Sequence, residues 1–359
     1  MAGNQNWTNE FKEAFRNLKD LYRFLEWDLP SEIEGVEKVY PVFVPRNLAK
    51  KMKKEGPKGV LAKEFLPHSL EVNGDLNEKG LFDPIGDQNF FKAPQLIHRY
   101  KSRALFTPTT ICPVLCRYCF RKNELVASEE IFQQDFEKTL SYLSEHPEIS
   151  EIIFTGGDPF TLSDEKLEKY LESFSAIKTI RDIRFHTRYP IIIPERINGG
   201  LLEILSRAAK NFRTVTVAIH ANHKLELDET IKEAITKLGS LPIQLLSQTV
   251  LLKGVNDTQE DLLELFGAFI ELKIRPYYLH HPDPVKGGMH FYLSLEKGRE
   301  LYASLRKELP GWAIPHYVID VPGGEGKISA FNPESFHYSG KLLTQTGDTF
   351  LWQEPEPFI

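Results

Sequence analysis

Cysteine is nearly absent from this chain of 359 residues: there are three, and methionine is equally scarce. No apolar run approaches the roughly 18 residues that a transmembrane helix needs, which excludes a spanning segment. The stretch MAGNQNWTNEFKEAF lacks the charged-then-apolar order of a secretory signal. A basic surplus is missing too: the formal net charge of −6 excludes a general nucleic-acid binder. Three thiols are too few and too odd in number for a disulfide framework, so the chain reads as cytoplasmic. Internal repeats and low-complexity tracts are also lacking. What is present suffices for a soluble protein with a sizeable core, at 41% apolar and 26% charged residues. The length exceeds one average domain but fits a single α/β barrel.

All three cysteines fall in one octet, Cys112-Pro-Val-Leu-Cys116-Arg-Tyr-Cys119. Three thiolates can hold three irons of a [4Fe–4S] cluster and leave the fourth open to a small molecule that accepts an electron. Soft thiolates also select zinc or copper(I), so spacing alone leaves the metal open. A structural zinc site wants a fourth protein ligand, and no Cys or His lies within about ten residues of the run.

Residues 1–100 read as a mostly helical N-terminal extension, with helical spacing of Phe11, Phe15, Leu18, Tyr22 and Leu25. From Arg103 onward, short β-rich runs alternate with amphipathic ones. Strands are predicted at 104–107, 151–155, 183–187, 214–219, 243–251 and 275–280. Helices are predicted near 129–145, 164–176, 196–210, 228–238, 258–272 and 294–308. Six βα units without a hairpin signal predict a parallel sheet. Residues 101–320 form this unit, and 321–359 a C-terminal segment. Gly156-Gly157-Asp158, His186, His220, Gln248 and Asp283 fall at the strand ends, where barrels build active sites.

Thr155-Gly-Gly-Asp-Pro159 follows the second strand. Its glycines permit close backbone approach and leave amides free for a ligand, although alone it reads as an ordinary turn. In Val321-Pro-Gly-Gly-Glu-Gly-Lys327, the lysine is either a surface residue or an imine-forming amine of the kind that anchors pyridoxal phosphate (PLP). With Tyr118 before its last thiol, the CxxxCxxC run resembles the signature of the radical S-adenosylmethionine (SAM) enzymes. The ordered set CPVLCRYCFRK, FTGGDP, FHTRYPIIIP, LLSQTVLLKGVND, RPYYLHHPD and IDVPGGEGK, spanning residues 90–330, resembles the lysine 2,3-aminomutase family.

That resemblance implies a partial (β/α)6 TIM-like barrel that uses a [4Fe–4S] cluster, SAM and PLP to convert L-lysine to β-lysine by radical amino migration. By position, Cys112, Cys116 and Cys119 would ligate the cluster. Gly156, Gly157 and Asp158 would face the methionyl amino group of SAM, and His220 would also contact SAM. Lys327 would carry PLP, with Arg103 and Gln248 on its phosphate. Arg121 would pair with the substrate carboxylate, and Asp283 and Asp320 with its far ammonium. These choices suit arginine's planar fork and a two-carboxylate ruler for a terminal cation. The alternative for each aspartate is a turn cap, and for His186, His220 and His223 a satisfied, partly buried ring, which is the preferred reading of His223. An electron donor such as flavodoxin or ferredoxin is implied, with no nucleic-acid or membrane partner.

The chain departs from clostridial-type members, which carry a C-terminal cysteine cluster and a cysteine after VND that together hold zinc. Here Thr258 follows Val255-Asn-Asp257 and no cysteine follows Cys119. Zinc is therefore not expected, and a dimer is expected in place of a tetramer. The absence resembles shorter members that supply β-lysine for modifying elongation factor P. Glu325 interrupts the usual glycine run without an evident reason. Gly287-Gly288 and Gly323–Gly326 are candidate lid hinges. Arginine or glutamate as substrate, and a non-catalytic iron–sulfur protein, are the competing readings.

Overall fold

A computed structural model describes residues 6–127, 135–321, 324, 326–331, 341–343 and 349–351. Glu325, Gly323 and the tail from Gln353 lie outside them. Ten strands form one sheet in sequential order. β1 (Phe91–Ala93), β2 (Leu96–Tyr100) and β3 (Arg103–Thr109) meander antiparallel. From β3 the sheet runs parallel through β4 (Glu151–Gly156), β5 (Asp182–Thr187), β6 (Thr214–His220), β7 (Gln244–Val250), β8 (Arg275–His280) and β9 (His316–Val321). β10 (Gly326–Ser329) returns antiparallel to β9 and ends the sheet.

The six expected strand–helix units are present, and β9 adds a further parallel strand. Helices Phe136–Glu145, Asp164–Ser175, Gly199–Asn211, Glu229–Gly239, Gln259–Glu271 and Leu295–Glu308 make the crossovers. Each begins where a side chain (Asp135, Ser163, Asn198, Asp228, Thr258 or Ser294) accepts an amide of the first turn, as helix starts require. Phe106, Phe154, Phe174 and Phe185 pack edge-on or tilted between sheet and helices, all fully buried. No described helix is long and apolar enough to cross a membrane.

The N-terminal periodicity breaks into two helices, Asn6–Lys12 and Leu18–Leu25. Phe15 pairs instead with Val44, and Asn17 caps the second helix. Helix Val60–Phe65 and the turn at Ser69–Glu71 then reach the loop after β3, which positions the site.

Candidate active site

Two cavities lie along the barrel and meet. One, of about 220 Å³, is lined by the loop after β3 and the C-terminal ends of the strands, including all three cysteines, His220, Gln248 and Asp283. The other, of about 450 Å³, is lined by the N-terminal parts of the strands, including Arg103, Arg184 and Tyr277. Leu105, His186, Tyr278 and Lys327 line both. A barrel site was expected at the strand ends alone; here it runs on toward the strand starts.

The cysteine loop is held from the N-terminal segment. Arg117, in the middle of the loop, is buried with its Nε 2.9 Å from Glu71 Oε1, and its backbone N–H donates to the Glu64 carbonyl at 3.1 Å. Arg188, just past β5, donates Nη1 to Cys116 Sγ at 3.4 Å and Nη2 to Glu64 at 2.5 Å and to Glu226. None of these partners was legible from spacing, because each joins segments far apart in the chain.

Gly156, Gly157 and Asp158 line the cavity that holds the cysteines, but the expectation of free amides fails. The Gly157 and Asp158 amides are not free: they donate to Thr109 and Ile111 carbonyls at 2.7 and 2.8 Å. A Cβ on Gly157 would stand 2.5 Å from the Ile111 carbonyl oxygen, so glycine is required for the turn to lie against the cysteine loop. The Asp158 carboxylate is likewise occupied, by Thr187, the Arg188 amide and the Phe160 amide. The turn thus locks the cysteine loop, and its Gly157 and Asp158 amides are not available to a ligand.

Lys327 sits on a strand, not on a loose loop. Gly326, at φ +91°, has space for no Cβ because the Tyr100 hydroxyl would lie 2.7 Å away, and that hydroxyl accepts the Lys327 amide. Lys327 lies opposite Asp320 in the β9–β10 register, and its Nζ donates to Asp320 Oδ1 at 2.8 Å. His280 Nδ1 is 3.7 Å from the other oxygen. Asp283 faces the same cavity, and burial, then the Asp320 charge, pushes it up to about 8. Burial opposes the charge on Asp320, but His280 and Lys327 hold it down at about 2. The turn-cap reading of the aspartates fails for Asp320, which lies within β9 and is paired in register with Lys327.

Arg121 is buried, with Nη2 on Asp87 Oδ2 at 2.5 Å and with Nε and Nη1 lacking hydrogen-bond partners. Burial works against its charge, but Asp87 and then Glu124 raise its pKa further. Arg99, which the sequence reading overlooked, donates to the other oxygen of Asp87 at 2.7 Å and lines the lower cavity beside Arg103. Gln248 and Arg103 were expected together; they line different cavities. Gln248 instead lies opposite His220 in the β6–β7 register. Burial holds His220 and His186 well below the usual histidine range, so both are neutral at pH 7. His220 bonds the Tyr118 hydroxyl and Asn222, and His223 caps a turn and meets Asp261, a structural place as expected. The proposed hinge glycine Gly287 is held by Asn77 and by Lys122, which argues against a free hinge. Lys341 lies in strand β11 (Lys341–Leu343), paired with β12 (Thr349–Leu351), outside the ten-stranded sheet.

The residues present fit the implied groups. The three thiols are unpaired, and burial pushes them all up, Cys116 to about 12, so they would ionise only against a metal charge. Among the described residues no three Cys, His, Asp or Glu form a cage for one ion. A cubane does not need one, since each thiolate meets a different iron. An amine on the cavity wall, four arginines lining the same cavity (Arg99, Arg103, Arg184 and Arg213) and a buried Arg99 Nε without a hydrogen-bond partner suit a phosphorylated carbonyl compound. His186 Nε2 and His280 Nε2, also buried and unpartnered, belong to residues lining the upper cavity, where a polar ligand would meet them.

Residues 106–266 match the radical SAM superfamily. The chain is 32% identical to the L-lysine 2,3-aminomutase of Escherichia coli, over 90% of this chain and 94% of that one. It is 35% identical to a protein of Aquifex aeolicus provisionally given the same name, over 89% and 86%. With the L-lysine 2,3-aminomutase of Bacillus subtilis it shares 31% identity over 98% of this chain and 74% of that one. A solved structure of Streptococcus suis SuiB bound to S-adenosylmethionine overlaps 62% of this chain and 51% of that one at TM-score 0.45 and 16% identity, too slight a likeness to build on.

Proposed function

The chain belongs to the lysine 2,3-aminomutase family of radical SAM enzymes, which makes it an isomerase, and on that premise we propose that it interconverts L-lysine and β-lysine. The observation that carries this reading is Lys327, which lines both cavities and is paired with Asp320, one of the two carboxylates matched to the substrate's far ammonium.

When bound, the cluster and SAM would supply a hydrogen-abstracting radical, and PLP would hold the amino group as it moves from C2 to C3. The protein's part is to bind, orient and exclude water. Cys112, Cys116 and Cys119 would hold the cluster at the upper mouth, with Arg188 beside Cys116. His220 and Gln248, neighbours across β6 and β7, would contact SAM. Lys327 would anchor PLP, with its phosphate toward Arg103. Arg121, through the Nε and Nη1 that make no hydrogen bond in the protein, with Glu124 3.6 Å from Nη1, would receive the substrate carboxylate. Asp283 and Asp320 would receive the ε-ammonium. In this reading the one-electron donor is a flavodoxin- or ferredoxin-type protein, the assembly is a dimer, and the unpaired thiols suit the cytoplasm.

Two aspartates would also attract a guanidinium, so arginine is the nearest rival substrate, whereas glutamate would meet like charge. The test is anaerobic reconstitution with iron, sulfide and PLP, followed by incubation with SAM, reductant and each of lysine, arginine and glutamate. Conversion of lysine to β-lysine alone is expected. Preferential turnover of arginine or glutamate would overturn the substrate, and a protein that takes up no PLP would overturn the reading as a whole.

A further inference from the structure

Arg99, which lines the cavity proposed for the PLP phosphate, and Arg121, proposed for the substrate carboxylate, hang on one carboxylate. Asp87, 1% exposed, accepts Arg99 Nη2 on Oδ1 at 2.7 Å and Arg121 Nη2 on Oδ2 at 2.5 Å. Arg99 belongs to β2 and lines the lower cavity; Arg121 follows the cysteine loop and lines the upper one. Asp87 is itself braced. The Asp83 carboxylate accepts the amides of Gly86, Asp87 and Gln88 at 2.7, 3.2 and 3.2 Å, which fixes the turn that presents it. Each guanidinium keeps its Nε unpartnered in the interior.

We infer that Asp87 is the positioning residue that sets the orientation and spacing of the two guanidiniums, so that one carboxylate couples the cofactor-phosphate and substrate-carboxylate sites. This rests on the function proposed above. A charge-assisted pair to each oxygen orients a planar fork and leaves its remaining donors pointed elsewhere. Asp87 also offsets one of the two positive charges, so neither arginine stands as a bare buried cation. A merely structural counter-ion would hold the fold together without linking two binding constants.

The test compares wild type with Asp87→Asn, loaded with iron and sulfide, by two readouts. PLP affinity is measured by absorbance titration without substrate, and lysine KM and kcat are measured separately. Loss of the charge-assisted pairs should weaken PLP and raise the KM for lysine together, each by about tenfold, with a smaller change in kcat. The cluster EPR signal should be unchanged. Arg99→Lys should move only the PLP constant, and Arg121→Lys only the lysine KM. A folded Asp87→Asn with both constants within about twofold of wild type overturns the inference. Should that variant fail to fold, Asp87→Glu decides: its longer arm should disturb both constants, and either one staying within about twofold of wild type is the contrary result. A wild type that binds PLP yet leaves lysine unconverted would instead defeat the functional reading, and the PLP constant would still test the hold on Arg99.

Discussion

Lys327 and Asp320 face each other across the last antiparallel strand pair of the sheet, and the lysine ammonium donates to the aspartate at 2.8 Å. The carboxylate proposed for the substrate's ammonium is therefore already occupied by the protein's own. With PLP held on Lys327, that ammonium would no longer occupy Asp320, which could then receive an incoming cation until the substrate's own amino group displaces the lysine.

PLP-free protein should therefore bind lysine poorly. PLP-free Lys327→Ala, in which Asp320 has lost its internal partner, should bind lysine about tenfold more tightly by calorimetry, the scale of one charge-assisted bond. Equal affinities would show that the internal pair does not compete with substrate.

The two aspartates should behave differently. Neither was expected to touch the cofactor, but Asp320 contacts Lys327 directly. Asp283→Asn should lower kcat/KM for lysine by roughly 10–100-fold and leave PLP uptake intact. Asp320→Asn should do the same and also change the absorbance and loading of PLP. Wild-type kinetics in both variants would mean that another molecule is the substrate.

Asp283, pushed up to about 8 by burial and by Asp320, is neutral at pH 7 in the empty site. Holding an ammonium requires its ionised form, so substrate binding releases a proton and KM for lysine should fall as pH rises toward 8. For stability the sign is opposite. Between about pH 4, where an unfolded aspartate ionises, and pH 8, only the folded chain keeps this proton, so stability falls as pH rises through that window. Asp283→Asn should flatten both profiles, measured by kinetics and by thermal melts at pH 5 and pH 8.

Much of this architecture is legible in the sequence. Five of the six crossover helices lie within three residues of their predicted places, because the apolar period and caps such as Ser163 and Thr258 are local signals; the first begins at Phe136 where a start near 129 was predicted, and 129–134 lie outside the described residues. The convergence of Cys112, Cys116, Cys119, Asp283 and Lys327 on one cavity also follows the reading by motif. What was hidden depends on distant partners. The run His316–Val321 is a strand interrupted by a cavity-facing aspartate. The Gly157 and Asp158 amides serve the cysteine loop, and Arg99 is one basic residue in a short antiparallel strand. Asp87 gains its meaning only from Arg121, 34 residues away.

Removing one cysteine tests the metal site. Cys116→Ala leaves two thiols, so the cluster should be lost or labile and 5′-deoxyadenosine formation under dithionite should be abolished. A variant that still cleaves SAM would remove Cys116 from the ligand set.

The most direct measurement follows the nitrogen itself. L-Lysine labelled with 15N at the α-amino group is incubated anaerobically with the cluster- and PLP-loaded protein, SAM and dithionite, and the products are read by NMR. Migration within one molecule predicts β-lysine with the label on C3 and none released as ammonia. Unchanged lysine from fully loaded protein, or label appearing as free ammonium, would contradict the account.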